Sequence, residues 1–272
     1  MKKIFAIVVI YKEEFYSTTV YKHLLSKHID KGGLRFLVYD NSPEPMNRVE
    51  EIAKNGGFYI HNCKNSGVST AYNEGARIAE KIDGINYLLL LDQDTIFESD
   101  FVEKIEKAIS SDEDCNLFAP FITYGKNIPF SPTKKSLKGS SGVKLEEGEY
   151  ELLKYCPVNS GACVKLSIFK KAEGYNEKIK LDFADYDFFS RLGQISPWFK
   201  LINSHAEQSF SNEEKDVEKL LSRFVFFVDG AKYAIKNALI RKYVLIDVIK
   251  HTIALTIRTK SFGFIRVLME KL

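Results

Sequence analysis

The sequence predicts an α/β fold, one large domain followed by a helical tail. Three observations carry this. Short apolar runs alternate with helix-length stretches from residue 4 to about 119, the connections between them are short, and one run, Tyr87-Leu88-Leu89-Leu90-Leu91, is apolar almost throughout. Such a run is a strand buried on both faces, and strand–helix alternation builds a mostly parallel central sheet flanked by helices. Residues 4–10 form a strand, 16–27 a helix, 35–39 a strand that stops at the turn signal Asp40-Asn41-Ser42-Pro43, 46–55 a helix and 57–61 a short strand. A helix follows at 69–81, then the buried strand at 87–91, a helix at 101–110 and a strand at 116–119. Between 125 and 148 the chain turns polar, Gly/Pro/Ser-rich and aperiodic, which predicts a long mobile loop. Strand-like alternation returns over 155–166 around Asn159-Ser160-Gly161. An acidic and aromatic segment covers 181–192, a last strand falls near 198–203, and from about 211 the chain reads as helical.

The 272 residues, 45% hydrophobic with a formal net charge of +3, suffice for a core without staples, and no nucleic-acid partner is expected. Cys63, Cys115, Cys156 and Cys163 show no metal-finger spacing and read as buried thiols in a reducing compartment. The first apolar run stops at Tyr11-Lys12-Glu13-Glu14 and lacks a cleavage site, so it reads as a strand rather than a signal peptide. No stretch reaches the roughly 18 uncharged apolar residues of a membrane span. A cytoplasmic protein is expected. From Val244 on, the only acids are Asp247 and Glu270, against Lys250, Arg258, Lys260, Arg266 and Lys271. A basic amphipathic tail suits the anionic inner face of the cell membrane, and it equally suits a docked helix with a solvated basic face.

Ligands of open α/β sheets collect at the carboxyl edge, and the chemistry-bearing residues cluster at predicted strand ends. Asp92 and Asp94 close the buried strand one residue apart and can hold a hard divalent cation; the plain alternative is a capped strand end. Asp40 and Asn41 can bind a nucleobase or ribose, or simply form an Asx turn. In the run from Asn65 to Gly75, Gly67 allows close backbone approach to a ligand, Ser69 can cap the following helix, and Asn73 lies one turn in. Asp182, Asp185 and Asp187 lie among aromatics that would raise a carboxyl pKa, as a general base requires. Asp182 reads as the helix cap, which leaves Asp185 as the base. His205 is a candidate third metal ligand, although a lone histidine is more often structural.

In this order the features resemble the inverting family 2 glycosyltransferases of GT-A fold, over Ile4 to His205. The resemblance rests on the N-x-G-x-x-x-A-x-N-x-G run from Asn65 to Gly75, the D-x-D triplet Asp92-Gln93-Asp94, and the late acidic motif. It implies a GT-A catalytic domain over 1–210, with a nucleotide-sugar half (1–120) and an acceptor half (121–210), and a C-terminal helical extension over 211–272. It implies donor contacts from Ile10, Tyr11, Asp40, Asn41, Asn65, Gly67, Asn73, Asp92 and Gln93. It further implies Mg²⁺ or Mn²⁺ on Asp92, Asp94 and His205, and Asp185 as the base. Acceptor contacts are assigned to Ser160, Gly161, Asp182 and Asp187. The Leu91-Asp92-Gln93-Asp94-Thr95 stretch is most similar to bacterial rhamnosyltransferases, with galactofuranosyltransferases close behind. A dTDP- or UDP-sugar donor, a glycan or lipid-linked acceptor and contact with the membrane surface follow as expectations. Lys12, Asp187 and Tyr72 depart from the usual asparagine, glutamate and arginine.

Other classes fit less well. A nucleotidyltransferase or a dehydrogenase needs a glycine-rich loop after the first strand, and Ile10-Tyr11-Lys12-Glu13-Glu14 is not one. A catalytically silent scaffold subunit would not need Asp92, Asp94 and Asp185 together.

Overall fold

The computed structural model describes residues 3–29, 33–136, 139–208 and 216–272. The first half follows the expected alternation. β1 (Ile4–Ile10) is buried at every position. The first helix is shorter and less regular than residues 16–27 suggested. Thr18 accepts from the Tyr21 N–H and donates to the Phe15 carbonyl, which separates a turn at Phe15–Ser17 from a π-helical stretch at Tyr21–Leu25 that leads into α1 (Ser26–Ile29). There follow β2 (Arg35–Asp40), α2 (Val49–Lys54), β3 (Gly57–His61), α3 (Val68–Ala79), β4 (Tyr87–Asp92), β5 (Ile96–Phe97) and α4 (Phe101–Ser111).

The second half departs from expectation. After β6 (Leu117–Tyr124), the stretch expected to be a loop folds into β7 (Ile128–Ser131), β8 (Thr133–Lys134), β9 (Ser141–Gly142) and the start of β10 (Gly148–Glu151). Strands of two to four residues are too short to print a period on the sequence. Leu137 and Lys138 of that stretch lie outside the described residues. The strand expected over 155–166 is broken into β11 (Tyr155–Cys156) and β12 (Cys163–Lys165). The break falls at Gly161, whose φ is +78° and whose place has no room for a Cβ beside Phe97 and Pro120. α5 (Leu166–Lys171) and α6 (Ala184–Gly193) precede β13 (Trp198–Gln208), which continues well past residue 203.

The main sheet runs β10-β13-β6-β12-β4-β1-β2-β3, with β5 on β13 and β7 on β6. The β4-β1-β2-β3 portion is parallel throughout. β12 enters antiparallel between β4 and β6, so the sheet as a whole is mixed. β8, β9 and β11 form a small separate sheet. The leucine run of β4 serves both faces: Leu88 and Leu90 join one core and Tyr87, Leu89 and Leu91 the other.

α7 (Val217–Ala234), α8 (Arg241–Thr259) and α9 (Gly263–Lys271) form the tail. Ala231, Ala234, Ile240, Val244 and Val248 belong to the main core, so the tail is docked on the α/β body. The boundary expected at 210–211 falls outside the described residues. Among the described residues no helix is long and apolar enough to cross a membrane. Of the thiols expected to be buried, Cys156 and Cys163 are; Cys115 is half-buried and Cys63 exposed.

Candidate active site

β4 delivers Asp92 at its last position, level with Val9 of β1. The Ser160 hydroxyl donates to Asp92 Oδ2 at 2.6 Å, while Oδ1 is buried with no hydrogen-bond partner. Asp94 Oδ1 accepts from Gln208 Nε2 at 3.1 Å, and Thr95 fixes the Gln208 amide from its other side. Burial, and then the Asp92 charge, push the Asp94 carboxyl up to about 6. Two carboxylates that repel each other, one of them with an orphaned oxygen, form a donor set that a hard divalent cation satisfies.

His205 does not join them. It lies three positions before Gln208 in the same strand, and alternation puts the two side chains on opposite faces. Its exposed ring stacks on Phe121 with centroids 5.1 Å apart. Among the described residues no three His, Cys, Asp or Glu gather as a metal-holding group.

The three late aspartates separate into different roles. Asp182 does not cap α6; its carboxylate pairs with the Arg223 guanidinium of α7 through both oxygens. Asp187 is buried and held by Arg191 at 3.0 Å and by Asn237 at 3.1 Å. Both carboxylates are thus engaged within the protein; Asp187, being buried, is stable there only when so paired. Asp185 alone makes no ion pair among the described residues; it accepts only the Tyr186 N–H, at 2.8 Å. Burial raises its carboxyl to about 6, offset in part by the Lys135 charge. Lys135 itself lies over the Tyr186 ring, 4.9 Å from its centroid.

The residues expected to touch the donor mostly hold the protein together. Asp40 is fully buried and takes the N–H groups of Ser42 and Met46 and the Tyr59 hydroxyl, so the Asx-turn reading holds. Asn41 accepts from the Gly67 N–H at 3.4 Å. Gly67, at φ +89°, gives close approach to the chain's own Lys180 carbonyl, 2.1 Å from where a Cβ would stand. Ser69 is likewise not a cap: its hydroxyl donates to the Ile179 carbonyl. Asn73 accepts from the Tyr175 N–H and donates to the Tyr175 carbonyl and Glu177. Gln93 clasps the Tyr11 backbone, accepting its N–H at 2.6 Å and donating to its carbonyl at 3.3 Å. The Ile10 side chain is in the core. Tyr11, at 42% exposure, and Asn65 remain open at the strand edge. Ser160 holds Asp92, and the Gly161 N–H donates to the Leu90 carbonyl, so both support β4 from beneath.

Sequence reasoning gave no role here to Tyr72, noted only for standing where arginine is usual, and did not name Tyr175, Gln208 or Lys135 as site residues. Tyr72 is fully buried, with its phenol pKa driven up by burial and then by the charges of Asp92 and Asp185. It is therefore a neutral O–H group within electrostatic reach of both carboxylates. Its ring packs on Tyr175, whose hydroxyl donates to Asn159 at 2.6 Å. Gln208 and Lys135 are the other two.

The fold agrees with that of known proteins. The sequence profile of Glycosyl transferase family 2 matches residues 5–171. No curated protein sequence matches the chain. Among solved structures, GalNAc-T7 with UDP, GalNAc and Mn²⁺ superposes with a TM-score of 0.56 at 12% identity, over 94% of this chain and 57% of that one. Staphylococcus aureus TarS does so with 0.54 at 15% identity, over 96% and 44%. TarS 1–349 with UDP gives 0.52 at 13% identity, over 95% and 92%. At these identities the structures establish a shared fold, and this chain spans about half the length of the first two. The profile match covers more than half of the sequence, and by it the chain belongs to glycosyltransferase family 2.

Proposed function

We propose that the protein is an inverting glycosyltransferase that moves L-rhamnose from dTDP-rhamnose to a hydroxyl of a cell-surface glycan or a lipid-linked acceptor. The observation that carries the reaction class is that the charges of Asp92 and Asp185 both reach one buried tyrosine, Tyr72, while Asp94 lies beside Asp92. The rhamnosyl assignment rests on the Leu91-Asp92-Gln93-Asp94-Thr95 stretch. A UDP-sugar donor is the second reading, favoured by neighbours solved with UDP.

Asp94 and Asp92 Oδ1 would hold a divalent cation, Mg²⁺ or Mn²⁺, which when bound supplies positive charge to the donor diphosphate. Ser160 and Gln208 orient the two carboxylates. The Tyr11 ring and Asn65 border the donor at the strand edge. Asp185 takes the proton from the acceptor hydroxyl, whose oxygen attacks the anomeric carbon opposite the departing diphosphate. One displacement inverts that carbon. The 125–148 stretch would shield the reaction from water, a reading supported by Lys135 lying over the ring of Tyr186, next to Asp185. The basic tail holds the enzyme at the cytoplasmic face of the membrane.

The test is thermal-shift screening with dTDP-rhamnose, UDP-galactofuranose, UDP-glucose and UDP-N-acetylglucosamine, with and without Mn²⁺. Stabilisation by one donor that requires the cation supports the proposal. No stabilisation by any of them, together with no nucleotide-sugar hydrolysis, favours the scaffold alternative.

A further inference from the structure

The tail carries large apolar side chains on its outside. In α8, Val244, Val248, Thr252 and Leu255 face inward. One step of about 100° around the helix lie Ile249, Ile253 and Ile257, exposed by 51%, 52% and 71%. The next row round is Lys250, Ala254 and Arg258. In α9 and the turn before it, Phe262, Ile265, Met269 and Leu272 recur at three- and four-residue steps opposite the buried Phe264, with Phe262 and Met269 exposed by 77% and 81%. α8 and α9 pack against one another, and Ile257 and Phe262 end one stripe and begin the other five residues apart across the turn. Soluble surfaces rarely gather this many large apolar groups without a partner.

Charge selects the partner. From residue 241 to the end stand seven Lys and Arg against Asp247 and Glu270, while the whole chain carries only +3. Asp247 accepts from Ser140, and Glu270 pairs with Arg266. A two-fold contact between copies would set these basic rows against themselves. An anionic lipid surface takes both features, with isoleucine, phenylalanine and methionine entering the headgroup–acyl boundary while Arg258, Lys260 and Lys242 meet phosphates.

We propose that α8 and α9 dock on an anionic bilayer surface through Ile249, Ile253, Ile257, Phe262, Ile265 and Met269. This deepens the membrane reading given above, and it stands or falls separately from the transfer reaction. Asp247, on the other flank of α8, reaches Ser140 and so ties that flank to the acceptor half. Docking through the isoleucine row therefore leaves that flank uncovered.

The test is flotation of the full-length protein with vesicles of phosphatidylcholine and phosphatidylglycerol, against phosphatidylcholine alone, at low and high salt. The protein should float with the anionic vesicles at low salt. An Ile253→Asp, Ile257→Asp, Met269→Asp triple variant and an Arg258→Glu, Lys260→Glu pair should each weaken binding on the order of tenfold. All these side chains are exposed, so melting temperature and nucleotide-sugar hydrolysis should not change. Undiminished vesicle binding by the triple variant overturns the proposal, as does equal binding to neutral vesicles. A dimer in sedimentation that the triple variant dissociates would assign the face to a second copy instead. If hydrolysis is absent from the native protein, flotation still reads the surface.

Discussion

Asp185 and Asp94 share an unusual chemistry: both are carboxyls held near pH 6 by burial, yet their jobs require different neighbours. Asp185→Asn should lower transfer by about 10²–10⁴-fold, the range for a lost general base, and leave donor binding in a thermal-shift assay intact. Because the base works only when ionised, the rate in the native enzyme should fall as pH drops through about 6. A rate limb near pH 4 would remove Asp185 from that role. Asp94 makes a separate prediction. Its ordinary value is 3.8 and its folded value about 6, so between those pH values the folded chain binds the extra proton. Metal-free protein should therefore lose stability as pH rises through that window, and Mn²⁺ should restore it most above pH 6. In Asp94→Asn that cation-dependent rise in melting temperature should vanish. Asp92 and Asp94 stood out in the sequence because they follow a buried strand, and Asp185 because it lies among aromatics. The partners that Asp40, Asn73 and Gln93 take in the fold were not legible, because a sequence shows what a side chain can donate or accept, not which partner is nearest. In each case a backbone group of the protein itself is a partner.

At the scale of elements, the Asn65–Gly75 run has a structural task that the sequence did not show. It staples α3 to residues 174–180, the segment that leads into α6 and Asp185. Gly67→Ala would force a side chain into the Lys180 carbonyl at a φ of +89°. It should cost about 2–4 kcal/mol, measured by denaturant unfolding. A cost under about 0.5 kcal/mol would mean that the approach of the two segments is not as close as described. The elements that went unread, β7 to β9, are short strands whose partners lie elsewhere in the chain. Their identity comes from pairing with β6 and with each other, which no local pattern records. The parallel strands β1 to β4 were legible because each carries its own apolar run.

Taken as a whole molecule, the helical tail is tied to the α/β body by polar contacts as well as core packing. Arg223 meets Asp182, Asn237 meets Asp187, and Asp247 meets Ser140. Removing the Asn237 amide leaves buried Asp187 and Ser190 each short of a partner. Asn237→Ala should therefore destabilise the protein by about 1–3 kcal/mol, seen as a lower melting temperature without any change in donor preference. The family match ends at residue 171, before the candidate base. What joins Asp185 to the matched portion is the set of bonds from Ser69 and Asn73 to Ile179 and Tyr175. The seam between the two halves is thus written in two distant stretches of chain. A hybrid enzyme that exchanged everything after residue 171 with a relative would separate the two sides of that seam. Hybrids that carry residues 65–75 along with the donated half should fold and turn over, and those that leave them behind should not.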